Sequence, residues 1–274
     1  MEYNPYLWLS FLLILTCIFI TNSLFARGEY ISINTGYGFN ISSQKIGTIM
    51  YTNDGSNTSI FNQKDFSFGK GFNFGGAVGY MYNKNIGAEM GFSYLNSVKT
   101  RFNSFYEIGT QIIDFSSGMF RINPSVIIVS GMSGINPYAK FGVIIGSGFI
   151  EENDQFTINT NSSTLTQKLN GGFAIGLTAS LGVKYKLSGK ISVFGELNMV
   201  NLSYAPTKGE VITYSIDGTD RLTTLTTSER LTDYLKSYIV SSSQPAADTE
   251  PGKSPLQNYP FGSFGLNIGL IYNL

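Results

Sequence analysis

Apolar and polar residues alternate with a period of two in eight separate stretches of the chain. Residues 29–41 place Ile31, Ile33, Thr35, Tyr37, Phe39 and Ile41 on one side and Ser32, Asn34, Gly36, Gly38 and Asn40 on the other. The same alternation runs through 70–82, 86–98, 136–149, 170–187, 190–204 and 260–274. It is clearest in 170–187, where Leu177, Ala179, Leu181, Val183 and Tyr185 alternate with Thr178, Ser180, Gly182, Lys184 and Lys186. Residues 112–129 are less regular, and Pro124, which lacks a backbone N–H, weakens the strand signal there. A period of two predicts a strand with one apolar face. Eight such strands predict an all-β chain.

The connections sort by length. Residues 83–85, 130–135 and 188–190 are short and rich in Asn, Gly and Ser, the residues of tight turns. The other four, 42–69, 99–111, 150–169 and 205–259, are long, and short and long alternate strictly. Tyr80, Tyr82, Tyr185 and Tyr272 fall near the turn ends of their strands. Tyr37, Phe39, Phe72, Phe92, Phe173 and Phe264 fall near the loop ends. Two aromatic girdles, short turns at one end and long loops at the other predict an antiparallel, up-and-down transmembrane barrel of eight strands. A soluble β-sandwich or barrel is the competing reading. Its second face would carry more charge than Gly, Asn and Ser supply.

Two segments break the pattern. Residues 6–26 are almost wholly apolar, end at the small Ala26 and are followed by Arg27-Gly28-Glu29. This predicts a signal peptide over 1–26 and a barrel domain over 27–274. The same run is long enough to serve as a membrane anchor. Within the last long connection, Leu231, Tyr234, Leu235, Tyr238 and Ile239 recur at helical spacing after Ser228, a residue that caps helices, and predict an amphipathic helix over 228–239. The Pro- and Ser-rich stretch 241–255 predicts a mobile segment. Gly252-Lys253-Ser254 imitates the end of a phosphate-binding loop, but Ala247 stands where the earlier glycine belongs.

Composition then narrows the chemistry. The chain has no histidine and one cysteine, Cys17, inside the N-terminal apolar run. This removes Ser-His-Asp and Cys-His catalysis, most zinc sites and any disulfide within the chain, and no cofactor or metal site is expected. Lys and Arg total 18 and balance 18 Asp and Glu, so the chain lacks the basic excess of a nucleic-acid surface. Only 13% of residues are charged, and Gly (31), Phe (21) and Tyr (17) are abundant, which suits an apolar outside around a glycine-rich lumen. The charged residues with inward parity are Glu89, Arg121, Lys140, Lys184, Lys186 and Glu196. Charges in a narrow lumen are costly alone, so a connected ion-pair network is expected. Such a network acts either as a plug of side chains or as a gate on a narrow ion path.

The last strand carries a resemblance to a known family. In PFGSFGLNIGLIYNL, from Pro260 to Leu274, the residues Asn267, Gly269, Tyr272 and Leu274 resemble the C-terminal assembly signal of Gram-negative outer-membrane β-barrels. Leu274 stands where many members have Phe. With its alternating loops, the chain resembles the eight-stranded OmpA/OmpX-type barrels. The resemblance implies localisation in the outer membrane, contact with outer-membrane lipid and insertion by the assembly machinery. It also implies loops offered to an extracellular partner, in a structural or adhesive role without catalysis. Some members are thought to be narrow pores, which is the alternative. Barrels of this kind that act as lipid-modifying enzymes or proteases rely on a histidine that this chain lacks.

Overall fold

A computed structural model describes residues 28–41, 44–50, 60–106, 109–238 and 248–274. Residues 1–27, which hold the expected signal peptide, lie outside them. Eight strands form the barrel: β1 (Glu29–Asn40), β2 (Gly71–Met81), β3 (Ile86–Ser97), β4 (Gly109–Val129), β5 (Ile135–Ile158), β6 (Ala174–Lys186), β7 (Ile191–Asn201) and β8 (Ser263–Asn273). Each pairs antiparallel with its neighbours in the chain. The barrel closes where β1 meets β8, in an unbroken register from Tyr30↔Asn273 to Asn40↔Ser263. Pro124 stays within β4. Its cost is a gap in the β4–β5 ladder between Ile122↔Ile145 and Ser125↔Gly142.

The period-two sets separate as the alternation predicts. Ile33 is 65% exposed, Leu181 66% and Phe173 76%, and the other outward apolar residues form a belt with them around the barrel. In water so continuous an apolar belt would drive aggregation; in a bilayer it is the lipid-facing wall. Closure leaves no barrel strand with a free edge, a condition for crossing hydrocarbon with strands. The turns at one end are tied by side chains. Asn83 Oδ1 accepts from the backbone N–H of Asn85 and Ile86, and Asn136 Oδ1 accepts from the Ser130 hydroxyl and the Gly131 N–H. Gly131 and Gly134 hold φ of 75° and 86°, which a side chain would strain.

At the other end β4 and β5 run on past the rim and become the centre of a wall outside the membrane. Strand Thr100–Tyr106 pairs with the outer half of β4, and Asn161–Asn170 folds back on β5. Lys208–Ile216 pairs with Asn161–Asn170 through a bulge at Ile212, Leu231–Leu235 pairs with Lys208–Ile216, and Gly252–Pro255 closes the series in parallel. Strands Gln44–Met50 and Ile60–Phe66 form a separate hairpin. Much of the long connections is therefore sheet.

The last long connection departs from two expectations. The helix over 228–239 is one turn, Thr227–Arg230. Thr226, not Ser228, caps it: Thr226 Oγ1 accepts from the Glu229 N–H, and the Glu229 carboxylate accepts from the Thr226 N–H. From Leu231 the chain is strand, held on one side by Lys208↔Asp233 and on the other by Thr232↔Gly252. A helix this short gains little alone, while pairing on two sides gives the backbone groups of this segment partners. Ile239 lies outside the described residues. The same pairing makes Gly252–Pro255, expected to be mobile, an ordered strand; residues 239–247 lie outside the described residues.

Candidate functional site in the barrel lumen

The inward residues stack in four layers along the barrel. At the outer mouth Leu95, Met119, Ile144, Ile150, Leu169, Val200 and Leu202 pack with Tyr204, Phe66, Phe68 and Phe261. Phe68 stacks on Phe261 at 5.2 Å between ring centres, and Phe66 meets Phe68 edge-on at 4.5 Å. The segment that carries Phe68 is pinned. The Phe68 N–H donates to Pro260 O at 2.8 Å, and the Ser67 hydroxyl donates to Gly262 O at 2.6 Å. Tyr204 OH reaches Gly148 O and Gly171 O. This layer stoppers the barrel.

Below it lies a polar chamber of about 90 Å3, whose walls include Asn34, Asn73, Arg121, Asn123, Thr178 and Asn198. Its floor is an ion cluster. Lys140 Nζ lies 2.8 Å from Glu89 Oε1 and 3.3 Å from Glu196 Oε2. Beneath the cluster a second chamber of about 50 Å3 reaches Met81, Ile127, Lys184 and Ile271. Ile127, Val129, Tyr138 and Phe194 form the apolar layer at the turn end.

The cluster has a repeated construction. Tyr30 on β1 sits opposite Gly79 on β2, and Gly79 sits opposite Glu89 on β3. The missing side chain at Gly79 leaves the space the Tyr30 ring fills. The tyrosine OH therefore crosses a whole strand and donates to Glu89 Oε2 at 2.8 Å. Across the barrel Tyr138 on β5 crosses Gly182 on β6 in the same way and donates to Glu196 Oε2 at 2.9 Å. Asn267 Nδ2 donates to the other oxygen of Glu196 at 3.1 Å. Lys140 stands between the two Tyr-Gly-Glu units, its ammonium 5.3 Å from the Tyr138 ring centre and 5.6 Å from that of Phe194. Each carboxylate thus accepts from an ammonium and a phenol, which is how buried charge is tolerated.

Of the residues singled out by parity, the fold brings Glu89, Lys140 and Glu196 together. Arg121 lies apart: its Nη2 donates to Asn73 Oδ1, and it makes no ion pair among the described residues. Lys184 lines the lower chamber without an ion pair among the described residues, opposite Phe194 in the ladder. Lys186 is exposed near the turn. Tyr30, Tyr138 and the outer stopper escaped the sequence reading. The signal for the tyrosines was available: each has inward parity and faces a glycine in the neighbouring strand. The C-terminal residues divide between faces. Asn267 and Gly269 point inward, the latter beneath the Phe194 ring, while Tyr272 and Leu274 point out.

A family profile described as the outer membrane protein beta-barrel domain matches residues 30–226. The chain belongs to this family. The outer-membrane barrel has solved structural counterparts of very low identity. The attachment invasion locus protein Ail of Yersinia pestis is 11% identical, with 90% of this chain and 99% of that one covered and a TM-score of 0.31. CarO2 of Acinetobacter baumannii is 11% identical over 89% of this chain and 99% of its own, with a TM-score of 0.34. CarO of the same organism is 12% identical over 92% and 100%, with a TM-score of 0.32. None of these carries a functional assignment to this barrel. No curated protein matches the chain.

Proposed function

We propose that this outer-membrane barrel is a closed, non-catalytic scaffold whose work is done at the cell surface by its outer β-wall. The observation that carries the reading is the aromatic stopper of Phe66, Phe68, Phe261 and Tyr204, which fills the outer mouth above an ion-paired floor. A lumen filled at two levels suits a rivet more than a conduit. The wall built on β4 and β5 offers extended sheet to an extracellular partner. Purified, refolded protein is expected to show no steady conductance in a planar bilayer; steady single-channel steps would overturn the closed reading. Cells displaying the protein are expected to attach to surfaces better than cells lacking it, and equal attachment would remove the adhesive part.

The narrow-pore reading rests on one specific observation. The chambers above and below the cluster are both lined by Glu89 and Lys140, so a swing of Lys140 would join them. In that case Lys140→Ala, Lys184→Ala or Glu196→Ala changes the conductance, and three unchanged traces exclude it. Insertion by the assembly machinery through Asn267, Gly269, Tyr272 and Leu274 belongs to the same proposal. Replacing Tyr272 and Leu274 by Ala is expected to lower the yield of folded barrel in the outer membrane without preventing refolding in detergent.

A further inference from the structure

Arg121 is the buried lumen charge that makes no ion pair among the described residues. It is 4% exposed, its Nη2 donates to Asn73, and its Nε, also buried, has no hydrogen-bond partner among the described residues. The carboxylates on the same chamber are already committed: Glu89 to Lys140 and Tyr30, Glu196 to Lys140, Tyr138 and Asn267. A guanidinium withdrawn from water needs a counter-charge.

We propose that the outer chamber binds a small monovalent inorganic anion of the halide class, held by Arg121 and the side-chain amide of Asn73. Three features argue for it. Asn73 spends its carbonyl oxygen on Arg121, so its NH2 remains as a donor. The chamber, about 90 Å3, is several times the roughly 10–15 Å3 that one water occupies, and its lining also includes Asn34, Asn123 and Thr178. It lies between the stopper and the ion cluster, which excludes large organic anions. Arg121, Lys140 and Lys184 against Glu89 and Glu196 leave the lumen one positive charge in excess, which a single negative charge balances; a divalent oxyanion would leave a new excess. The site does not depend on whether the barrel conducts.

The test uses the full-length barrel refolded in sodium bromide and crystallised. Anomalous bromine density in the chamber, against the Arg121 guanidinium and Asn73, is expected, and its absence from the chamber at saturating bromide would overturn the proposal. In solution, chloride titrated against gluconate at constant ionic strength should raise the unfolding midpoint along a saturating curve. R121Q should abolish that dependence, and the same curve in R121Q would overturn the role of Arg121. Should R121Q not fold, N73A serves instead. Loss of its donor is expected to weaken chloride about tenfold, the effect of one hydrogen bond, and an unchanged affinity would count against the site.

Discussion

At the scale of single residues, the lumen is a set of exchanges between glycine and long side chains. Gly79 lies against the Tyr30 ring and Gly182 against that of Tyr138. A Cβ at either position falls on the ring, and the flanking strands are paired on both sides, so the ring has to move. Gly79→Ala is therefore expected to cost about 1–3 kcal/mol, read as a lower urea midpoint of unfolding in detergent. Lys140 has the higher stake. Lys140→Met leaves Glu89 and Glu196 facing one another without their cation, at a cost of roughly 3–5 kcal/mol. Adding Glu89→Gln and Glu196→Gln to that variant should recover much of the loss. A triple variant no more stable than Lys140→Met alone would show that the cost comes from packing and not from charge.

Among the elements, the hairpin of Thr100–Tyr106 with the outer half of β4 depends on one buried carboxylate. The Asp114 side chain is 1% exposed. Arg101 approaches it through Nε and Nη2 at 2.8 Å each, and Lys99 lies at 3.1 Å. The Arg101 guanidinium, despite the opposing effect of burial, holds the Asp114 carboxyl below the usual carboxylate range, with Lys99 adding to it. A lowered pKa in the folded state means stability that is present above the unfolded value of about 3.9 and lost as pH falls through the folded value. Amide-exchange protection of this hairpin should be flat between pH 5 and 8 and decline below about pH 4. In Asp114→Asn it should be reduced at neutral pH and flat throughout. The predicted 228–239 helix belongs to this scale as well. Its spacing of Leu231, Tyr234 and Leu235 was genuine, but apolar residues at such spacing also serve a strand. The edge presented by Lys208–Ile216 decided between them.

For the whole molecule, closure of the sheet and filling of the lumen are separate properties. Closure makes the fold resistant to detergent, since no strand of the barrel has a free edge. Unboiled protein should migrate apart from boiled protein on a denaturing gel, and identical mobilities would refute a closed barrel. Filling depends on a few large side chains. Phe68→Ala removes a ring with contacts to Phe66, Phe115, Tyr259 and Phe261 and should cost about 3–5 kcal/mol. The gel shift should survive, because the ladder is intact. If the stopper alone blocks the mouth, Phe68→Ala in the planar bilayer conducts where the parent chain does not.

The eight strands, their order and the face each turns to lipid were determined by sequence alone, because alternation and turn chemistry are local properties of consecutive residues. Parity likewise placed Glu89, Lys140 and Glu196 inside the barrel. What it could not decide was distance around the barrel. Tyr30 is 59 positions from Glu89, and Tyr138 is 58 from Glu196. Their contacts exist only because closure sets three strands side by side with a glycine in the middle one. The separation of Arg121 from both carboxylates is of the same kind, since inward parity is shared by all these charges and height in the lumen comes from strand register. The outer stopper also required tertiary structure. Phe66 and Phe68 lie where one long connection meets the barrel and Phe261 where another does, and only the closed sheet brings those two ends together over its mouth.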